Sequence, residues 1–244
     1  CGPASTQRHE GTGEWVMGRN AFVVLLLVVL VATGGLTMSL AQNRGAVAGE
    51  DLPTIAFEKY TLPNGLDVIL SQKKGLPMVA VNLWYHVGPA NEAAGRTGFA
   101  HLFEHMMFQS SKHVPPDSHI RLLEAAGASD LNGTTDYDRT NYFETVPSNQ
   151  LELALWLESD RMGYLLEKVD QAALSNQQDV VRNERRQSVE NQPYGMADEA
   201  LIQMLFPKGH PYYANVIGSH EDIQAVKLDD VKRFFKQYYA PNNA

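Results

Sequence analysis

Within the stretch GFAHLFEHMMFQ, residues 98–109, two histidines and a glutamate interrupt a run of Phe, Leu, Met and Ala. A polar side chain buried without a partner costs about 1–3 kcal/mol. His101, Glu104 and His105 therefore require something outside the run to satisfy them. At about 100° per residue on a helix the three project from one arc roughly 100° wide, and Phe99, Leu102, Phe103, Met106 and Met107 take the rest. The pattern predicts a helix buried on its apolar side. Two imidazoles one turn apart can hold a single Zn²⁺, and the carboxylate between them then stands beside whatever else the ion binds.

A catalytic zinc usually takes three protein ligands and keeps a fourth position for water. Another element must then bring one more His, Asp or Glu. Glu184, in VVRNERRQ, is the best candidate, because on its own helix it shares a face with Ala173, Leu174, Val180 and Val181. A carboxylate on an apolar stripe also needs a partner. Glu190 is the rival ligand. His113 and His119 fall in a polar stretch with Pro115 and Pro116 and read as solvated, while His210 and His220 read as structural. Arg185 and Arg186 read as solvated or salt-bridging, and the pairs Tyr212-Tyr213 and Tyr238-Tyr239 as packing.

The elements that must position these groups follow from periodicity. FEKYTLPNGLDVIL alternates on both sides of Pro63-Asn64-Gly65, a hairpin signal. MVAVNLWYHVG alternates again, with Val79, Val81, Leu83, Tyr85 and Val87 on one face. Helical spacing starts near Thr97, a candidate N-cap, and resumes from Asp117 to Ala126, where Gly127 fits the position just past a helix end. DLNGTTDYDRTNYFETV returns to strand character. Helices then follow, with Ser148, Asp170, Ser219 and Asp229 as opening residues and Pro193 as a break. Hairpin-paired strands separated by helical blocks predict an α+β fold, a mainly antiparallel sheet flanked by helices. The final helix ends where further strands of such a sheet are expected, which predicts truncation.

The chain has 244 residues and a formal net charge of −8. With no long Lys/Arg cluster it lacks the concentrated basic patch that phosphate binding needs, so a nucleic-acid partner is excluded. Arg19 precedes the apolar run AFVVLLLVVLVATGGL, and Ser39 and Ala41 occupy small-residue cleavage positions, so residues 17–41 read as a secretory signal peptide. The destination this implies is export, the bacterial periplasm first. The alternative is a membrane anchor through residues 21–40. Residues 1–16 read as upstream, non-native or read-through sequence and hold the sole cysteine, Cys1. Without it, stability rests on core packing or a metal. Residues 42–53 read as a linker, and residues 54–244 as the domain.

HLFEH matches the inverted zinc motif His-x-x-Glu-His. The chain resembles the N-terminal part of a pitrilysin/insulinase family metallopeptidase, related also to mitochondrial processing peptidase. The resemblance runs through LPNGLDVIL, GRTGFAHLFEHMMF, NGTTDYDRTNYFETVP, NERR, HPY and YYAPNNA, covering nearly all of residues 54–244. It implies the metallohydrolase fold of that family, incomplete here, with His101, His105 and Glu184 as zinc ligands and Glu104 as the general base of peptide-bond hydrolysis. It also implies that Asn132, Gly133 and Thr134 bind the peptide substrate as an added strand, although by their own chemistry they could be merely a turn. A second homologous domain, on the same chain or a partner subunit, would close the site. Two departures stand out. The interval from His105 to Glu184 is slightly longer than usual, implying a small loop insertion, and Gln177 stands where relatives often carry an acid. The alternative function is a non-catalytic partner subunit that binds peptides; such partners typically lose members of the metal motif, and here all four residues are present.

Overall fold

Asn64-Gly65 turns the chain where its turn chemistry predicts. In a computed structural model, which describes residues 54–244, β1 (Glu58–Thr61) and β2 (Asp67–Leu70) pair antiparallel. Gly65 takes the left-handed conformation at φ +91°, and the Asn64 side chain accepts from the Leu66 N–H at 3.2 Å. The signal peptide, the linker, the upstream residues and the alternative anchor all lie outside the described residues. Among the described residues no helix is long and apolar enough to cross a membrane.

A second sheet is built from β3 (Met78–Tyr85), β4 (Ser129–Asp136) and β5 (Arg139–Pro147), all antiparallel, with β5 in the middle. Burial along β3 alternates as its sequence does: Val79, Val81, Leu83 and Tyr85 face inward, while Met78, Ala80, Asn82 and Trp84 are exposed. The register sets Tyr85 against Thr140 and Gly133 against Tyr142. The stretch read as one return to strand character is two strands, turned at Tyr137-Asp138 and not at Asn132-Gly133, which lies inside β4.

Helices α1 (Phe99–Met106), α2 (Ser118–Ala125), α3 (Leu151–Tyr164), α4 (Gln171–Arg185), α5 (Ala197–Leu205), α6 (His220–Ala225) and α7 (Leu228–Tyr238) complete the α+β architecture. The main core joins Tyr85 and Tyr142 of the sheet to Phe103 and Met106 of α1, Leu174 and Val181 of α4, and Phe234 and Phe235 of α7. A smaller core, with Val146, Leu123 and Leu157, lies between the sheet and α2 and α3. The outer sheet face is polar: Asn141 joins Asn82, Thr134 and Arg139, and the Arg139 guanidinium lies 5.1 Å over the Trp84 ring.

Asp170 and Ser219 cap their helices as expected, accepting from the Ala173 and Asp222 N–H groups at 2.8 and 3.1 Å. Thr97 does not cap α1. Its N–H and hydroxyl both donate to Asp222, 125 residues later, and Gly98 takes the cap position. Ser148 opens a 3₁₀ turn without capping, and Lys227, not Asp229, precedes α7, its N–H donating to Asp230. His119 is buried in α2 rather than solvated, and burial pushes its pKa down to about 3. Arg185 is buried, salt-bridged to Glu190 and Glu199. Val180 lies exposed, so the inward stripe of α4 runs through Leu174, Gln177, Gln178 and Val181.

Candidate metal centre

α1 carries the paired imidazoles, and its position is fixed at both faces. Phe99, Leu102, Phe103 and Met106 are buried, each worth roughly 1.5–3 kcal/mol relative to exposure. At the start of α1, Gly98 adopts φ +79°, and a Cβ there would stand 2.3 Å from the Ile217 carbonyl oxygen. The cap is supplied by Glu92, whose carboxylate accepts from the Gly98 and Ala100 N–H groups at 3.1 and 2.8 Å. Burial nonetheless raises the Glu92 pKa to about 8.

α4 brings Glu184 to the exposed arc of α1. The His105 Nε2 lies 3.2 Å from one Glu184 oxygen and the His101 Nε2 3.7 Å from the other. One donor atom from each of the three residues lies within 4.8 Å of the others, and no other such group of His, Cys, Asp and Glu occurs among the described residues. Donors held at 2.0–2.2 Å from a tetrahedral zinc stand about 3.3–3.6 Å apart; the two Glu184 contacts bracket that range, and two imidazoles and a carboxylate gathered within 4.8 Å suit the ion by donor type. Burial holds the His101 pKa down at about 4, keeping the ring neutral and its lone pair available. The neighbouring His105, then His101, hold the Glu184 carboxyl below its usual range.

The rival carboxylate is engaged elsewhere. Glu190, at the end of a π-helical turn over Arg186–Glu190, pairs with Arg185 at 3.0 Å and His220 at 2.8 Å. His220 is structural, as read, and so is His210, which stacks on Phe206 and accepts from the Tyr212 N–H.

Glu104 sits one residue before the second imidazole and faces β4. One of its oxygens accepts from the Thr135 hydroxyl at 2.6 Å, while burial raises its pKa above the ordinary carboxylate value. Gly133 packs directly on it: a Cβ at Gly133 would meet Glu104 Oε1 and Phe108 Cε2, each at 3.0 Å. A cavity of about 700 Å³ opens over these groups, lined by His101, Glu104, His105 and Glu184 together with Phe108, Asn132, Gly133, Thr135 and Gln177.

Of the three β4 residues singled out in the sequence, Asn132 and Gly133 line this cavity. Thr134 does not: its hydroxyl is bonded to Asn141 and Arg139 on the outer sheet face. The residue missed is Thr135. Strand alternation places 133 and 135 on one face, and that period of two was the available signal. Gln177 is buried beside the site, as its spacing of two turns from Glu184 implies.

Comparison with known proteins gives a consistent result. The sequence family described as Insulinase (Peptidase family M16) matches residues 67–210. Zinc protease PqqE of Helicobacter pylori is 35% identical over 213 residues, 86% of this chain and 47% of that protein. The crystal structure of a protease from Helicobacter pylori superposes with a TM-score of 0.74 at 31% identity, over 78% of this chain and 45% of the other. The probable zinc protease PqqL of Escherichia coli is 26% identical over 94% of this chain and 24% of that protein. The crystal structure of PqqL, described as a periplasmic protease, shares the fold at a TM-score of 0.70, 23% identity, and coverage of 79% of this chain and 22% of that one. The chain thus spans about half the length of PqqE and about a quarter of PqqL.

Proposed function

The chain belongs to the insulinase family, peptidase family M16, and from that premise we propose that it forms the metal-holding half of a zinc-dependent peptidase. The observation that carries the proposal is the convergence of His101, His105 and Glu184 from two helices beside the buried carboxylate of Glu104, in one open cavity. When bound there, Zn²⁺ supplies Lewis acidity, lowering the pKa of a water to about 7 and polarising a carbonyl.

Glu104 is the general base. Its burial keeps its proton affinity above that of a free carboxylate, which suits a group that must take a proton from water and then deliver it to the leaving amine. The Thr135 hydroxyl holds one carboxylate oxygen and fixes the side chain's rotation, leaving the other, Oε1, over Gly133. The peptide is proposed to add as a strand along the free edge of β4, the side not paired with β5 among the described residues. There the Gly133 N–H donates to the Asn132 side chain at 2.9 Å. Asn132 and Gly133 contact the peptide from the cavity, and Thr134 contributes through the backbone.

Relatives about twice as long support a second homologous domain, in this protein or a partner subunit, that closes the cavity. Export is supported by the signal-like residues 17–41 and by the periplasmic description of PqqL. The complete donor set favours an enzyme over a non-catalytic partner subunit.

The test is substitution in the full-length protein. Glu104→Gln is expected to keep stoichiometric zinc by mass spectrometry and lose roughly 10²–10⁴-fold in peptide turnover, the usual share of a general base. Turnover equal to the parent would sink that assignment. Glu184→Gln is expected to lower bound zinc, and Glu190→Gln to leave it unchanged; the reverse pattern would exchange the two roles.

A further inference from the structure

Resting on the peptidase reading, we propose that a second cavity beside the metal centre is a subsite for a carboxylate of the substrate, placed about five residues from the cleaved bond. This cavity, about 590 Å³, lies between the segment 109–116 and the start of α4, and Gln109 lines both it and the first. The two cavities share that wall residue.

The charged side chains in its walls include two lysines and one aspartate. Lys112 and Lys168 line it, and Lys168 makes no ion pair among the described residues. The Lys112 ammonium lies 3.2 Å from Glu167, which offsets its charge, and 5.0 Å over the Tyr164 ring. The single carboxylate in the lining, Asp170, is engaged in capping α4.

His113 adds an oriented ring. Its Nδ1 lies 2.5 Å from Asp160 Oδ1, and the other Asp160 oxygen accepts from the Ser111 hydroxyl at 2.5 Å and the His113 N–H at 3.3 Å. A buried aspartate thus locks the ring and leaves Nε2 as the nitrogen not engaged. The trio is not a nucleophilic triad, because the serine hydroxyl donates to the aspartate and not to the imidazole.

The span between the sites follows from helix geometry. Ala173, in the second cavity, and Glu184 are separated by eleven residues on α4, about 16 Å at 1.5 Å per residue. An extended peptide advances about 3.3 Å per residue, so the helix wall of the second cavity stands about five residues from the metal ligand. The carboxylate is an acidic side chain or a free C-terminus, the same chemistry from two sources.

The experiment uses the zinc-loaded full-length protein and peptides carrying Glu, Gln or Lys at each position three to six residues either side of the cleaved bond, each as C-terminal acid and amide. Partly exposed charge pairs support a modest gain each, so a Glu about five residues away is expected to raise kcat/KM about five- to tenfold, through KM. The double variant Lys112→Ala/Lys168→Ala is expected to abolish that preference and leave the Gln peptides unchanged, and Lys168→Glu to transfer it to a Lys peptide. A preference confined to the acid-over-amide pair assigns the C-terminus; one confined to internal Glu assigns the side chain. Equal loss on Glu and Gln peptides, or no preference in the parent, overturns the subsite. Fluorescence anisotropy of the same labelled peptides separates the two proposals. Glu-selective binding that the lysine variants abolish, without any cleavage, keeps the subsite and rejects the peptidase, whereas cleavage with charge-blind binding does the opposite.

Discussion

Two regions of the molecule bury carboxylates, and they handle them differently. At the candidate metal centre, buried Glu104 and half-exposed Glu184 stand beside two imidazoles and face an open cavity. Behind the sheet, Glu144 of β5 and Glu158 of α3 are buried with Arg161, itself 1% exposed. There the guanidinium salt-bridges Glu158 and lies 4.4 Å over the Tyr142 ring and 5.2 Å over Phe108. Burial, then the neighbouring Glu158, raises the Glu144 pKa to about 8, so this carboxyl stays neutral near pH 7. Perturbed acids therefore occur in both places, and perturbation alone does not identify chemistry. What separates the regions is that one leaves its donors pointing at a shared space and the other closes the charge on an internal cation.

Breaking the closed region is expected to give the largest effect. Arg161→Met strands the buried Glu158 carboxylate, a change typically costing about 3–5 kcal/mol, readable by urea unfolding. Replacing the pair together, Arg161→Met with Glu158→Leu, is expected to recover most of that loss. Glu184→Gln in zinc-free protein is expected to stay within about 0.5 kcal/mol, as for a half-exposed position. Equal costs in the two regions would remove the distinction between them.

The pH dependence of stability sharpens it next. Glu92 and Glu144 hold protons in the folded state up to about pH 8, while the unfolded chain releases them near 4.5. The folded state binds more protons across that window, so stability is greatest below about pH 4.5 for these groups and falls as pH rises toward 8. The decline is at most about 1.4 kcal/mol per pH unit for each group. Glu92→Gln is expected to flatten part of the slope in unfolding curves between pH 5 and 8, and a slope unaltered by it would reject the assignment. The smallest effect is geometric. Gly133→Ala presses a methyl against Glu104 and Phe108 and is expected to lower kcat about tenfold with zinc content unchanged, since sub-ångström displacement of a reacting group is costly. Full activity in Gly133→Ala would show that Glu104 tolerates displacement.

The site was more legible in the sequence than the frame around it. α1 announces both of its faces through one local period, and Glu184 stands out because it interrupts the stripe of a second helix. Val180 was assigned to that stripe and is exposed, without changing the outcome. The features that stayed hidden depend on distant residues. Thr97 has the chemistry of a cap, but Asp222 competes for its hydroxyl and wins. His119 sits among prolines and polar residues, yet in α2 it is buried with its ring edge-on to Phe108. Asn132-Gly133 carries the strongest short turn signal in its stretch, yet the glycine serves close approach to Glu104 within a strand, and the chain turns at Tyr137-Asp138. Arg161 gives no local sign at all, since nothing in its neighbourhood on α3 says that the surrounding carboxylates are buried.

The crossing of the chain at the start of α1 has a consequence for how the protein is made. Thr97 is held by Asp222, and a side chain at Gly98 or Gly218 would collide with the other strand of that crossing. The partners are 125 residues apart, so at roughly 5–20 residues per second of synthesis α1 waits about 6–25 s before its anchor has been translated. Glu184 lies 79 residues after His105, so at the same rate it follows the histidine pair by about 4–16 s, and the donor set is synthesised before the anchor that holds α1.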